Sequence, residues 1–259
     1  MGSGVAAASP VGVRVAGHPG VVVRSVLRAA VRAGTTWAGS VRAVRTEEAH
    51  AVLTFDDGPD PVGTERVLSA LAARGASATF FVLTERVGKY RTLLAETVAE
   101  GHEIALHGLD HSRLTRFGAR EVGTRVATAR RVLEDALGTP VRWFRPPYGA
   151  QTPATWRAVR RTGLEPVLWG PTAWDWLDEP VPVLAARAME GMKRGAILLA
   201  HDGYGDDPGD PSGAPAPTFD RGALASAVLD ALAERGLRGV SLEAAMRTGT
   251  AERWAWFRR

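Results

Sequence analysis

Between residues 49 and 245 the apolar residues keep changing their spacing, from short strand-like runs to the three-and-four spacing of an amphipathic helix. "AHAVLTF" (49–55) reads as a strand and "TERVLSALAARG" (64–75) as a helix stopped by glycine. The pattern recurs in "SATFFVL" (77–83) with "RTLLAETVAEG" (91–101), and in "HEIALHG" (102–108) with "AREVGTRVATARRVLEDALG" (119–138). It continues in "VRWFRPPYG" (141–149) with "TPATWRAVRRTG" (152–163), and in "LEPVLWG" (164–170) with "VPVLAARAMEGMKRG" (181–195). "AILLAHDG" (196–203) and "RGALASAVLDALAERG" (221–236) complete it, and "LRGVSLEAA" (237–245) closes the unit. Strand and helix in strict alternation, with short connections, imply parallel strands joined by right-handed crossovers. The number of units and the 259-residue length favour a closed (β/α) barrel over an open sheet.

Charge is unevenly distributed. Residues 1–46 hold Arg14, Arg24, Arg28, Arg32, Arg42 and Arg45 and no acid, which leaves a net −2 for the rest of a +4 chain. A basic leader on a slightly acidic body argues against a nucleic-acid-binding domain. The stretch "VVVRSVLRAAVRAG" (21–34) is broken by arginine too often for a Sec signal, and no 18-residue apolar run exists. Arg24, Arg28 and Arg32 share one helical face, which suits a helix resting on an anionic membrane or docked on the body. The expected organisation is therefore a basic, partly helical extension (1–48), a catalytic domain (49–248) and a tail (249–259). A cytoplasmic or membrane-peripheral monomer is the expectation.

In a barrel of this kind, functional groups gather at the C-terminal ends of the strands. Polar residues fall there repeatedly. Asp56 and Asp57 end the first strand, His107 and His111 follow the third, and Arg145 ends the next. Asp175 follows "VLWG" and His201 ends "AILLA". The absence of cysteine excludes disulfides and thiolate metal sites. His107 and His111, at His-x-x-x-His spacing, are candidate metal ligands, with one of the two aspartates as the third. Two imidazoles and a carboxylate leave coordination positions open, as a catalytic site needs. Arg145 can hold a carboxylate with its fork of donors. Pro146 and Pro147 stiffen the turn after it, so a backbone N–H there points in a fixed direction. A histidine oriented by an aspartate, as His201 by Asp175, can act as a general acid.

"TFDDGP", "HGLDH", "RPPYG", "WDW" and "LAH" occur in the order of the five motifs of the polysaccharide deacetylase family (carbohydrate esterase family 4, the NodB homology domain), and the chain resembles that family over roughly residues 50–246. Each motif is moderately specific alone; all five in order are highly specific. The resemblance implies a distorted (β/α)7-8 barrel and metal-dependent removal of N- or O-acetyl groups from a carbohydrate. It makes Asp57, His107 and His111 the ligands of one divalent metal, Zn²⁺ by default, with Co²⁺, Ni²⁺ or Mn²⁺ as alternatives. It makes Asp56 the general base, held by Arg145, and His201 the general acid, tuned by Asp175. The backbone N–H of Tyr148 would bind the oxyanion, Pro146 would border the substrate in the same turn, and Trp176 and Leu199 would wall the acetyl pocket. Two positions depart from the common pattern. Gly108 stands where many members have Ser or Thr, and Thr172 stands where many have Asp. The competing readings are a deformylase or amidase acting on a small non-sugar amide, and an inactive barrel that binds carbohydrate. Asp202, Asp206, Asp207 and Asp210 would line a polar loop beside the cleft.

Overall fold

The computed structural model describes residue 1, residues 39–205 and residues 215–258. The leader segment 21–34 and the loop acids Asp206, Asp207 and Asp210 lie outside the described residues. Nine strands and eight helices alternate along the described chain, apart from two short 3₁₀ turns. In order they are β1 (Ser40–Arg45), β2 (His50–Asp56), α1 (Gly63–Ala72), β3 (Thr79–Leu83), α2 (Thr84–Val87), α3 (Arg91–Ala99) and β4 (Glu103–Gly108). Then come α4 (Ala119–Leu137), β5 (Trp143–Phe144), α5 (Pro153–Arg161), β6 (Glu165–Pro166), α6 (Val181–Ala188) and β7 (Ile197–His201). The last are α7 (Arg221–Glu234), β8 (Arg238–Val240), α8 (Leu242–Thr248) and β9 (Thr250–Trp254). Among the described residues no helix is long and apolar enough to cross a membrane.

Parallel strands run in the order β6-β5-β4-β3-β2-β7, and β8 pairs with the first half of β2. Closure comes from an extended segment after β6. Gly170 donates to the carbonyl of Ile197 at 2.9 Å, Leu199 to Pro171 at 3.0 Å and Ala173 to Leu199 at 3.0 Å. The result is a distorted barrel. Two strands are shorter than the sequence suggests: the run at 141–149 is a ladder only at Trp143–Phe144, and the run at 164–170 only at Glu165–Pro166. Proline is the reason at the first. Pro146 and Pro147 have no N–H to extend the ladder.

Residues 40–45, read as part of an extension, and residues 250–254, read as part of a tail, come together. β1 and β9 pair antiparallel, Ser40 opposite Trp254 and Arg45 opposite Thr250. β1 also wedges into the weak seam of the barrel: Leu168 donates to Val41 at 2.7 Å, and Val44 donates to Gly195 at 2.8 Å. Charged side chains on "SVRAVR" hide this strand in the sequence, since only Val41 and Val44 face the core.

Alternation along each strand sorts the side chains into two layers. Leu53, Phe55, Phe80, Val82, Leu106, Phe144, Leu198 and Ala200 pack outward against the helices. Val52, Phe81, Ala105, Trp143, Val167 and Ile197 fill the barrel interior with Val41 and Val44. Each fully buried aliphatic or aromatic side chain of this kind contributes about 1.5–3 kcal/mol. The same inward parity, carried further along each strand, reaches Asp56 on β2, His107 on β4, Arg145 after β5 and His201 on β7. The interior core and the polar mouth are thus one stack of side chains.

Candidate active site

Asp56 points inward by strand alternation, so its neighbour should point away. It does not. Asp57 has a left-handed backbone (φ 78°), a conformation that aspartate tolerates better than most residues. This turn brings both carboxylates into the mouth, where Asp56 and Asp57 are both buried. Gly58 donates to Asp202 Oδ1 at 3.1 Å and Asp57 donates to the Phe81 carbonyl at 3.2 Å, which hold the turned backbone.

Asp57 faces two imidazoles. Its Oδ1 lies 3.3 Å from His107 Nε2 and 3.4 Å from His111 Nε2. Ligand atoms of Asp57, His107 and His111 all lie within 4.8 Å of one another. His107 Nδ1 is 2.8 Å from the Arg145 carbonyl, so Nδ1 carries the proton and Nε2 is left with its lone pair. Asp57 Oδ1 and His111 Nδ1 are buried without a hydrogen-bond partner. Burial opposes ionisation of Asp57, but His111 and the His107 contact outweigh it and hold the carboxyl far below its ordinary range. Burial lowers the pKa of His111, which favours the neutral ring that a ligand must present. One carboxylate oxygen and two imidazole nitrogens, converging on a buried point, fit a divalent cation of the Zn²⁺ kind.

Asp56 is held separately. Arg145, fully buried, donates from Nη1 to Asp56 Oδ1 at 2.6 Å and to Thr54 Oγ1 at 2.8 Å. Burial lowers the guanidinium pKa, and the Asp56 contact offsets part of that fall. Asp56 Oδ2 is left toward the metal cluster, 3.8 Å from His107 Nε2.

On the neighbouring strand β7, in register with Asp56, His201 Nδ1 is 2.7 Å from Asp175 Oδ1, and the His201 backbone N–H donates to Asp175 Oδ2 at 2.7 Å. Burial opposes protonation of His201, but the Asp175 charge and hydrogen bond win and raise its pKa to about 9. Its Nε2 is then a proton donor aimed away from Asp175. Trp176 stands edge-on to the His201 ring, centroids 6.0 Å apart. Leu199 is buried on the inward face of β7 beside Thr54. Pro146 is buried at the start of the 3₁₀ turn Pro147–Gly149, in which Tyr148 has φ 61° and its ring lies 4.5 Å from that of His111.

The side chains named from the sequence therefore surround one mouth. Others belong there: three that the sequence did not mark and one, Asp202, that it read as a loop acid. Thr54 completes the Arg145 cradle. Arg221 donates to the His201 carbonyl at 2.8 Å and lies 3.6 Å from Asp175 Oδ2. Gly205 donates to Asp57 Oδ2 at 2.9 Å. Asp202 is not a solvated loop acid: it is buried, accepts from Gly58 and from Thr64 Oγ1 at 2.5 Å, and burial raises its pKa to about 7. Its position right after His201 was the available signal. Gly108 has φ 155°, and a Cβ there would meet the Asp110 carbonyl at 2.8 Å, so this chain cannot place Ser or Thr there without moving the loop. The loop is braced instead by Arg125, whose Nη2 bonds Asp110 Oδ2 at 2.6 Å.

Fold and site together define a parallel-stranded barrel with an Asp-His-His metal-capable centre at the C-terminal mouth, flanked by a carboxylate–arginine pair and a histidine–aspartate pair. The polysaccharide deacetylase family model matches residues 43–167. The chain is 38% identical over 153 residues to the chitooligosaccharide deacetylase of Bradyrhizobium sp. (strain ANU 289), covering 59% of this chain and 70% of that protein. It is 32% identical over 168 residues to the peptidoglycan-N-acetylglucosamine deacetylase of Bacillus cereus, covering 63% and 77%. A crystal structure of a peptidoglycan N-acetylglucosamine deacetylase superimposes with a TM-score of 0.72 at 23% identity, covering 83% of this chain and 95% of that one. The chain belongs to the polysaccharide deacetylase family.

Proposed function

We propose that this chain is a metal-dependent deacetylase that hydrolyses the N-acetyl amide of N-acetylglucosamine units in a glycan. The observation that carries the reading is the position of the Asp57–His107–His111 cluster beside an arginine-held carboxylate and an aspartate-held histidine. Relatives named for chitooligosaccharide and for peptidoglycan N-acetylglucosamine support the substrate class. Zn²⁺ is the proposed ion, because a nitrogen-rich donor set with open positions suits it.

A divalent metal held by Asp57, His107 and His111 supplies Lewis acidity toward the acetyl carbonyl and eases ionisation of water. Asp56 takes the proton of the attacking water at Oδ2, while Arg145 holds Oδ1 and keeps the carboxylate aligned. A C–O bond forms as the carbonyl becomes tetrahedral. The Tyr148 backbone N–H, aimed by the left-handed turn, donates to the oxyanion. His201 then delivers its Nε2 proton to the amide nitrogen, the C–N bond breaks, and acetate and a free amine leave. Asp175 holds the ring so that Nε2, not Nδ1, faces the leaving group. Trp176 and Leu199 enclose the methyl group and exclude water.

The test is acetate release from N-acetylglucosamine oligomers, from peptidoglycan and from acetylated xylan, with chelated protein and then with Zn²⁺ or Co²⁺ restored. Metal-dependent acetate from the amino sugars supports the reading. Formate release from formyl amides with no acetate from any glycan would replace it with a deformylase.

A further inference from the structure

A second concavity of about 160 Å³ shares Tyr148 with the mouth: the residue lines the concavity, and its ring packs 4.5 Å from that of His111. Its walls include Arg42, Tyr148, Trp169, Trp256 and Arg258. That volume is below the roughly 300–1,000 Å³ of a site for a whole ligand, so it suits one ring of a longer molecule. Tyr148 and Gly149 of the turn beside the metal cluster form part of its wall. A glycan with its scissile sugar over Asp57 would lay its neighbouring ring there.

The groove is built, not incidental. Gln151, just past the Tyr148 turn, exchanges two backbone hydrogen bonds with Arg258, both 2.9 Å. Its buried side chain donates to the Trp256 carbonyl at 2.6 Å and bonds to Ser40. These contacts tie the chain's last described residues to the catalytic turn. Arg42 is fixed as well, donating to the Trp169 carbonyl at 2.9 Å and stacking 3.8 Å from the Trp254 ring. Trp256 is 48% exposed, with the Arg42 guanidinium 6.0 Å from its ring centroid, so the indole offers aromatic surface to a sugar ring beside a cation. Arg258 is exposed, and among the described residues no carboxylate lines the groove or pairs with Arg258. Apart from Tyr148, the residues that give the groove its charge and aromatic faces lie outside the segment that the family model matches, 43–167.

We infer that this groove is a subsite for a carboxylate-bearing sugar adjacent to the N-acetylated one, with Trp256 under the ring and Arg258 on the carboxylate. The inference rests on the deacetylase reading and names the substrate class of that same site. A guanidinium offers the carboxylate two parallel donors, and an aromatic floor offers the ring a flat apolar face.

The experiment compares acetate release from three glycans: alternating N-acetylglucosamine and N-acetylmuramic acid, the same strand with its lactyl carboxylates reduced to alcohols, and alternating N-acetylglucosamine and glucuronic acid. Wild type is set against Arg258→Gln and Arg258→Lys, all Zn²⁺-loaded. Arg258→Gln is expected to lower the kcat/KM ratio of acidic to reduced strand at least threefold, mainly through KM, and Arg258→Lys to recover part of it. A loss on the muramic strand alone assigns the lactyl carboxylate; a loss on both acidic strands assigns any ring carboxylate. In metal-free protein, muramic strands should quench tryptophan fluorescence, and Trp256→Phe should remove most of the quench. An unchanged ratio in Arg258→Gln, with wild type active on all strands, overturns the subsite and leaves the deacetylase reading intact. Absence of acetate from every strand overturns both.

Discussion

Arg145 and His107 are joined through the main chain: the Arg145 carbonyl accepts from His107 Nδ1 at 2.8 Å, while the Arg145 guanidinium grips Asp56 at 2.6 Å. One residue therefore orients a metal-capable imidazole with its backbone and the proposed base with its side chain. Arg145→Lys keeps the carbonyl contact and the charge but loses the planar fork. Turnover should fall by about 10²-fold or more with metal content near wild type. Arg145→Ala strands a buried carboxylate and should cost about 3–5 kcal/mol of stability, read from urea unfolding.

Asp56 and Asp57 should separate cleanly by mutation. Asp56→Asn should lose about 10²–10⁴ in kcat while binding metal as wild type does. Asp57→Asn should lower metal occupancy first, and activity with it. Metal analysis beside acetate release distinguishes the two. Equal metal loss in both variants would contradict the division of labour.

The pH dependence follows from His201. Its folded pKa, about 9, stands above the ordinary 6.5. Stabilisation by the His201–Asp175 pair is therefore complete below about pH 6.5 and is lost as pH rises through about 9. In the metal-free protein that contribution is at most about 3 kcal/mol. Activity of the metal-loaded protein should also fall on the alkaline side, at a lower pH than this, because a bound dication offsets the Asp57 charge that helps raise the His201 pKa. A kcat profile from pH 6 to 11 should fall at the alkaline end, and His201→Gln should flatten it at a low level.

β1 and β9 predict a structural effect far from the chemistry. Deleting residues 249–258 removes the only partner of β1 in its two-stranded sheet and takes away Gln151's anchors at Trp256 and Arg258. The melting temperature should drop by several degrees, since about 1 kcal/mol is worth 2–4 °C in a domain of this size. Val41→Ala, which removes two carbons from a fully buried side chain in the seam, should cost on the order of 1–3 kcal/mol. An unchanged melting temperature on truncation would reduce β9 to a passive tail.

The sequence by itself determined the order of strands and helices, the parallel barrel, and the residues at the strand ends. Strand parity and helix period are local, so Asp56, His107, Arg145 and His201 were readable from apolar spacing and motif order alone. Only the tertiary structure decided where the pattern breaks. Asp57 enters the site through a left-handed backbone, which no period reveals. Thr54, Asp202 and Arg221 act through partners up to 144 residues away, because hydrogen bonds across a closed barrel join groups that the chain keeps apart. The pairing of β1 with β9 is of the same kind. Neither segment carries enough apolar signal alone, and each becomes a strand because the other supplies its hydrogen bonds at the weak seam of the barrel.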